Sequence, residues 1–332
     1  MPLGRRHAVA ACVAAPLVGA ALLAQRVRGA VVGARAFTDS RVEGDAFPRR
    51  LVDPAGVVRV LPRPPVRVVS TYLACEENLA ALVPIERVVA VSVYADDRSA
   101  SNCLGVYPPR VARLRSDPEP ILAVEPDLVC IAGFNELESV RLLAGAGVPL
   151  LRQSRLDSFA EITAGLRLLG AALGADARAA ALVADVEGRL DDVARKLRGA
   201  RPVRVLYYDP PGYTMGAGTL VDEILERAGG RNVAVELGIR GPGQIGLEAL
   251  LALEPEAIVM PRYGDNLPAL RVLAGDAVWR RLPAVVANRV YEVPGAWINT
   301  VSHHAARGLA HLARVLHAEA FGTGAPLEAT GG

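Results

Sequence analysis

Lysine is almost missing from this sequence: Lys196 is the only one, so arginine carries nearly all the positive charge. That bias reflects base composition in the coding sequence and excludes nothing by itself. The net charge is only +2, too small to suggest nucleic acid or a membrane surface as partner. There is no C-x-x-C pair and no cysteine–histidine spacing of the zinc-module kind. No histidine occurs between Val66 and Gly174, and aromatic residues make up only 5% of the chain. Paired groups for catalysis are also lacking: Ser302-His303-His304 has no partner acid nearby in sequence, and no clustered acid pair stands out. An enzyme is therefore the weaker alternative. Hydrophobic residues at 52% and charged residues at 22% exclude a disordered chain, and 332 residues suffice for two domains with separate cores.

The first 36 residues differ from the rest. Arg5-Arg6-His7 gives a basic start, an Ala/Val/Leu run follows from Ala8 to Ala24, and Gly33-Ala34-Arg35-Ala36 offers a small-x-small pattern before Phe37. Segment 1–36 reads as an export leader. Three fates fit it: cleavage as a signal peptide, retention as an N-terminal anchor, or acylation at Cys12, although only four apolar residues precede that cysteine. Beyond it, Cys130 sits in the apolar run Leu128-Val129-Cys130-Ile131 and reads as a buried thiol. Cys75 and Cys103 are left free to pair in an oxidising compartment.

Residues 37–65 form a lead-in, with a small hairpin over Leu51–Leu61 turning at Asp53-Pro54-Ala55-Gly56. From 66 to 175 short apolar runs alternate with helical stretches. Strands are expected at Val66–Ser70, Arg87–Val91, Asp127–Ile131 and Val148–Leu151, with a helix from near Cys75 that stops at Pro84. Phe159, Ile162, Leu166, Leu169 and Leu173 keep helical spacing up to Gly174. A second periodic run covers 176–198, about 34 Å if wholly helical. Alternation restarts over 199–321, with strands at Val203–Tyr208, Ala257–Met260 and Arg289–Val293 and a last helix from Ser302 to near Ala318; 322–332 is a tail. The pattern predicts an α/β fold of two Rossmann-like lobes with mainly parallel sheets, joined by a single long α-helix.

An internal repeat supports two related lobes. Glu119-Pro-Ile-Leu-Ala-Val-Glu125-Pro126-Asp127-Leu-Val recurs as Glu248-Ala-Leu-Leu-Ala-Leu-Glu254-Pro255-Glu256-Ala-Ile. Each copy reads as an acid, an apolar helix, a Glu-Pro stop, a second acid and a buried strand, because proline cannot continue the helix. A literal G-x-G-x-x-G also occurs, Gly241-Pro242-Gly243-Gln244-Ile245-Gly246, with Asp265 near the distance a ribose-binding acid would need. No apolar run leads into it and proline occupies the turn, so it reads as a loop before the Glu248 helix, not a dinucleotide site.

From Leu51 to about Phe321 the chain resembles the periplasmic solute-binding proteins that serve importers of ferric siderophores, haem and vitamin B12, the class built on a helical backbone. The matching stretches are Val52-Asp53-Pro54-Ala55-Gly56, Leu61-Pro62 through Ser70, Arg87–Tyr94, Glu125–Val129, Ala146-Gly147-Val148-Pro149 and Gly229-Gly230-Arg231-Asn232. The resemblance implies a ligand held between the lobes, small closure about a rigid helix, and no catalysis. It implies a monomer that delivers a metal chelate to an ABC permease dimer in the inner membrane, from the periplasm or from an anchor facing it. No cofactor or nucleic acid is implied. A sensor or chaperone on the same fold is a further alternative. Members dock on permease arginines through one surface glutamate per lobe; the matching positions are Glu119 and Glu248, which also fall in the first turns of their helices.

A corrinoid, haem or siderophore is large and partly flat, so aromatic rings and a few polar groups should line its pocket. Tyr94 and Trp297 match ligand-contacting aromatics of the B12-binding members. Phe134 and Asn135 follow one strand, Tyr208, Tyr213 and Thr214 another, and Arg262 and Tyr263 a third, while Gln244 falls near the cleft. All these lie beyond carboxyl ends of strands, where open α/β sheets bind ligands. A tyrosine-rich pocket would suit haem iron, an aromatic sandwich a corrinoid, and Arg262 with Arg98 or Arg240 an anionic siderophore. Members that bind bare metal draw ligands from both lobes, so the histidine-free first lobe points to metal arriving already chelated, with His303, His304, His311 and His317 no metal site.

Overall fold

The computed structural model describes residues 39–264 and 279–322; the leader, Asp265 and the tail beyond Gly322 lie outside the described residues. Leu51–Leu61 lies within a hairpin, β2 (Arg49–Val52) against β3 (Val58–Leu61). Its turn is set by the Asp53 carboxylate, which accepts from the backbone N–H groups of Ala55 and Val57 at 2.9 and 2.8 Å, and by Gly56 at φ 81°. A further strand, β1 (Arg41–Glu43), pairs antiparallel with β2. Its single apolar residue gives no readable alternation; it is held by the free edge β2 offers.

Five short apolar segments form the first parallel sheet: β4 (Val68–Ser70), β5 (Val88–Ser92), β6 (Ala112–Leu114), β7 (Leu128–Ala132) and β8 (Leu150–Gln153), in the order β6-β5-β4-β7-β8. Every residue of β7 is buried, as expected of a strand covered on both faces. Helices α1 (Leu73–Leu82), α2 (Pro118–Ala123) and α3 (Leu137–Gly145) connect these strands. The second sheet comprises β9 (Val203–Tyr207), β11 (Gly230–Asn232), β13 (Ala257–Arg262) and β14 (Val290–Pro294), all parallel in the order β11-β9-β13-β14. β10 (Tyr213–Met215) and β12 (Pro242–Gln244) pair antiparallel beside it. The glycine motif read as a loop therefore supplies a strand. Helices α6 (Leu220–Arg227), α7 (Leu247–Leu253), α8 (Pro283–Val286), α9 (Gly295–Ile298), α10 (Ala305–Leu316) and α11 (Ala318–Phe321) also belong to the described part of this lobe.

Between the lobes α4 (Phe159–Leu173) begins at Ser158, whose hydroxyl accepts from Glu161 N–H at 3.2 Å, and ends at Gly174 with φ 67°. The long helix α5 (Asp176–Lys196) follows, about 31 Å at 1.5 Å per residue. Ala179, Val183, Val186 and Val193 form its buried stripe. A Cβ on Gly170 would lie 2.4 Å from that of Ala179, so glycine there lets α4 and α5 approach closely. The stripe shares one apolar core with Leu166, Leu169 and Leu173 of α4 and with Leu309, Leu312 and Leu316 of α10. Burying each of these aliphatic side chains contributes about 1.5–3 kcal/mol, which is why the helix acts as a common spine and not as a linker. Arg49 clamps the lead-in to it, donating to Ala171 O and to both Asp176 carboxylate oxygens at 3.0 Å.

The repeat is a structural repeat. Glu125 and Glu254, the acids before each proline, both take left-handed backbone conformations, φ 46° and 43°. Asp127 accepts from the N–H groups of Val66 and Arg67 at 2.8 Å, and Glu256 accepts from Arg204 N–H at 2.8 Å. Arg67 donates to the carbonyls of Val124 and Glu125 beyond α2, and Arg204 to Leu253 O at the end of α7. Each arginine belongs to one copy of a second motif, Pro65-Val66-Arg67-Val68 and Pro202-Val203-Arg204-Val205.

Cys75, Cys103 and Cys130 are free and buried. The pairing of Cys75 with Cys103 is not formed: Cys103 Sγ lies 3.2 Å from Ser101 Oγ, while the thiol beside Cys75 is that of Cys130.

Candidate functional site

The carboxyl ends of the two sheets face each other. Asn102, in the loop after β5, donates through its side-chain amide to Ala296 O, just beyond β14. Glu77 and Asn78 of α1 bond to Thr300, Ser302 and His303 beyond α9. In each sheet strand order reverses at one place, between β4 and β7 in the first and between β9 and β13 in the second. The loops leaving such adjacent strands diverge to opposite faces and open a crevice, so each lobe brings its own switch point to the cleft.

At the first switch point Thr71 follows β4, and Gly133, Phe134 and Asn135 follow β7. Asn135 Oδ1 accepts from Ala132 N–H at 2.6 Å and from Thr71 Oγ1 at 3.3 Å, while its amide donates to Ser116 Oγ at 3.1 Å. Asn135 is thereby a strut joining the ends of three strands, its polar atoms already engaged. Phe134 is 41% exposed and meets the buried Tyr72 edge-on, with centroids 6.3 Å apart. Tyr72 is fixed in turn by its hydroxyl, which donates to Gln153 Oε1. Tyr94 is half-buried in a 3-10 turn, Val93–Asp96, that Ser92 Oγ caps by accepting from its N–H.

At the second switch point Tyr208 and Asp209 follow β9, and Tyr263 follows Arg262, the last residue of β13. Tyr263 donates to Asp209 Oδ2 at 2.6 Å and accepts from Asn299 Nδ2 at 2.9 Å, while Tyr207 donates to Asn299 Oδ1 at 2.9 Å. Burial pushes the Asp209 carboxyl up to about 6, against the opposing pull of the Tyr263 hydroxyl. Tyr208 is buried and packs edge-on against Trp279 at 4.7 Å. Tyr213 is half-buried and lies opposite the exposed Gln244 in the β10–β12 register; Arg262 is exposed.

Three expected ligand contacts are buried and need correction: Tyr208, packed against Trp279, together with Thr214 and Trp297. Thr214 has no exposed surface and donates to Tyr207 O at 2.7 Å, so it anchors β10 on the sheet. Trp297 is buried: the Arg307 guanidinium lies 4.5 Å over its ring and His311 meets it at 5.8 Å, so α10 covers the indole and it is not offered to the cleft. Glu119 and Glu248 are exposed in the first turns of α2 and α7. Tyr72, Asp209 and Asn299 were not foreseen, although Tyr207-Tyr208-Asp209 at a strand end carried the signal for one of them. Ser302, weighed as a nucleophile, is fully buried with its hydroxyl donated to Glu77.

The raised Asp209 carboxyl makes a pH prediction. A folded value above the unfolded one means the native state holds the proton longer. Its contribution is therefore largest near pH 4, falls as pH rises through about 6 and then levels off, by at most about 3 kcal/mol. Asp209→Asn should remove that slope from the unfolding free energy between pH 4 and 6, measured as the difference from the parent protein in denaturant titrations.

Residues 68–296 match the model of the family described as Periplasmic binding protein. The uncharacterized ABC transporter substrate-binding lipoprotein YvrC of Bacillus subtilis is 25% identical over 286 residues, 83% of this chain and 88% of the relative. A cobalamin-binding protein of Halobacterium salinarum is 25% identical over 281 residues, 82% of this chain and 75% of that protein. Among solved structures, the periplasmic binding protein MolA of Haemophilus influenzae, bound to molybdate, superposes with TM-score 0.69 at 21% identity, covering 80% of this chain and 90% of that one. This last likeness is one of fold.

Proposed function

This chain belongs to the periplasmic binding protein family, and from that premise we propose that it is the exported substrate-binding component of an ABC importer, holding a metal chelate between its lobes. The observation that carries this reading is the meeting of two strand-order switch points across one cleft, one presenting the exposed ring of Phe134 and the other Tyr213, Arg262 and the Asp209–Tyr263 pair. Rings with a few oriented polar groups suit a bulky, partly flat ligand. Delivery follows through Glu119 and Glu248 to a permease. The cobalamin-binding relative puts a corrinoid first among the chelates to try.

Purified protein titrated with cyanocobalamin, haemin and ferric siderophores should bind one of them saturably, one per chain, and release it chemically unchanged. At a free ligand concentration of 100 Kd the unfolding free energy should rise by about 2.7 kcal/mol. Turnover of the chelate, or no binding across the panel, would count against the proposal.

A further inference from the structure

The two lobes touch through a polar seam centred on one carboxylate. Glu77 lies on α1 of the first lobe and is 1% exposed. Its Oε1 accepts from Asn102 N–H at 3.0 Å and from Asn102 Nδ2 at 2.9 Å, both within its own lobe. Its Oε2 accepts from Thr300 Oγ1 at 2.7 Å and from Ser302 Oγ, both in the second lobe. The seam is reinforced on either side. Asn102 also donates to Ala296 O, and the ring Nδ1 of His303 lies 2.8 Å from Asn78 Oδ1. Thr300 Oγ1 accepts from Ser302 N–H at 3.1 Å, and Ser302 Oγ accepts from His304 N–H at 3.2 Å, so the two hydroxyls that reach Glu77 are themselves held in place.

We infer that Glu77 is a positioning residue, a latch that sets the separation of the lobes and hence the width of the cleft between them. One oxygen faces each lobe, and separating the lobes would strip two donors from a buried carboxylate, which strongly opposes opening. The long helix α5 joins the lobes covalently within an apolar core that both lobes share, and the Glu77 seam adds directional polar contacts to that packing, which oppose rocking of one lobe against the other. Because no ligand enters this inference, it stands or falls separately from the identity of the cargo.

The test measures the lobe separation in unliganded protein. Nitroxide labels on Arg141→Cys in α3 and Val286→Cys in α8, both exposed positions, report it by double electron–electron resonance. A Cys12→Ser background leaves only buried native thiols among the described residues. Thr300→Val with Ser302→Ala removes the second-lobe donors and leaves Glu77 bound to Asn102. Its distance distribution should broaden and shift to longer values, and Glu77→Ala should do the same. Glu77→Gln keeps the shape, and its amide can donate to the same hydroxyls, so it should stay close to the parent distribution. Should Glu77→Ala fail to fold, the double variant supplies the reading. A folded double variant with an unchanged distribution overturns the inference, and so does a loss of thermal stability with no change in distance, since a merely structural role predicts that pattern.

Discussion

Phe134→Ala is expected to weaken binding of whichever chelate the titration identifies by about thirtyfold, roughly 2 kcal/mol, while leaving stability nearly unchanged. The ring is 41% exposed, stands at the first switch point, and is braced by Tyr72, itself tied to Gln153. A large apolar surface held rigid and open to solvent loses little freedom when a flat ligand covers it, which is how one aromatic residue comes to dominate a binding free energy. Titration and thermal unfolding of the variant separate the two effects. Trp297→Ala should give the opposite pattern, a stability loss of about 3 kcal/mol, because its indole is enclosed under Arg307 and His311. Equal affinity in the Phe134 variant would remove that ring from the site.

Reversing both surface glutamates, Glu119→Arg with Glu248→Arg, should abolish import in cells and leave the ligand Kd unchanged. The two residues occupy matching places in the repeated helix–strand unit, both exposed, both in the first helical turn. Locally each reversal costs about 0.3–1 kcal/mol through the helix dipole, too little to unfold either lobe. In the proposed docking on permease arginines the same change would turn two attractions into two repulsions, and juxtaposed like charges at an interface cost several kcal/mol. Each single reversal should retain partial uptake. Uptake of labelled chelate beside in vitro titration makes the comparison; normal uptake by the double variant would move docking elsewhere.

Much of the architecture was legible because its strands are buried on both faces and read as apolar runs, as Leu128–Ala132 does, and because the stripe of α5 keeps helical spacing over 21 residues. Five of the three-residue strands, β1, β6, β10, β11 and β12, carry no such pattern; each is held by a neighbour's edge. The arginine motif at Arg67 and Arg204 stands in the sequence, but its meaning appears only once both side chains reach the carbonyls ending α2 and α7. For the site, strand ends could be located but side-chain direction could not. Thr214 adjoins Tyr213 and Trp297 follows the end of β14, yet β10's seat on the sheet buries one and α10 covers the other. Glu77 was illegible for a different reason, as its partner Thr300 lies 223 residues away.

Hydrogen exchange with and without the bound chelate tests the central claim most directly. Protection is expected in loops from both lobes at once, 93–107 and 133–136 in the first and 208–216, 240–246 and 262–264 in the second, with the outer ends of the sheets unaffected. Protection confined to one lobe, or lying along the far side of α5, would contradict a ligand held between two switch points.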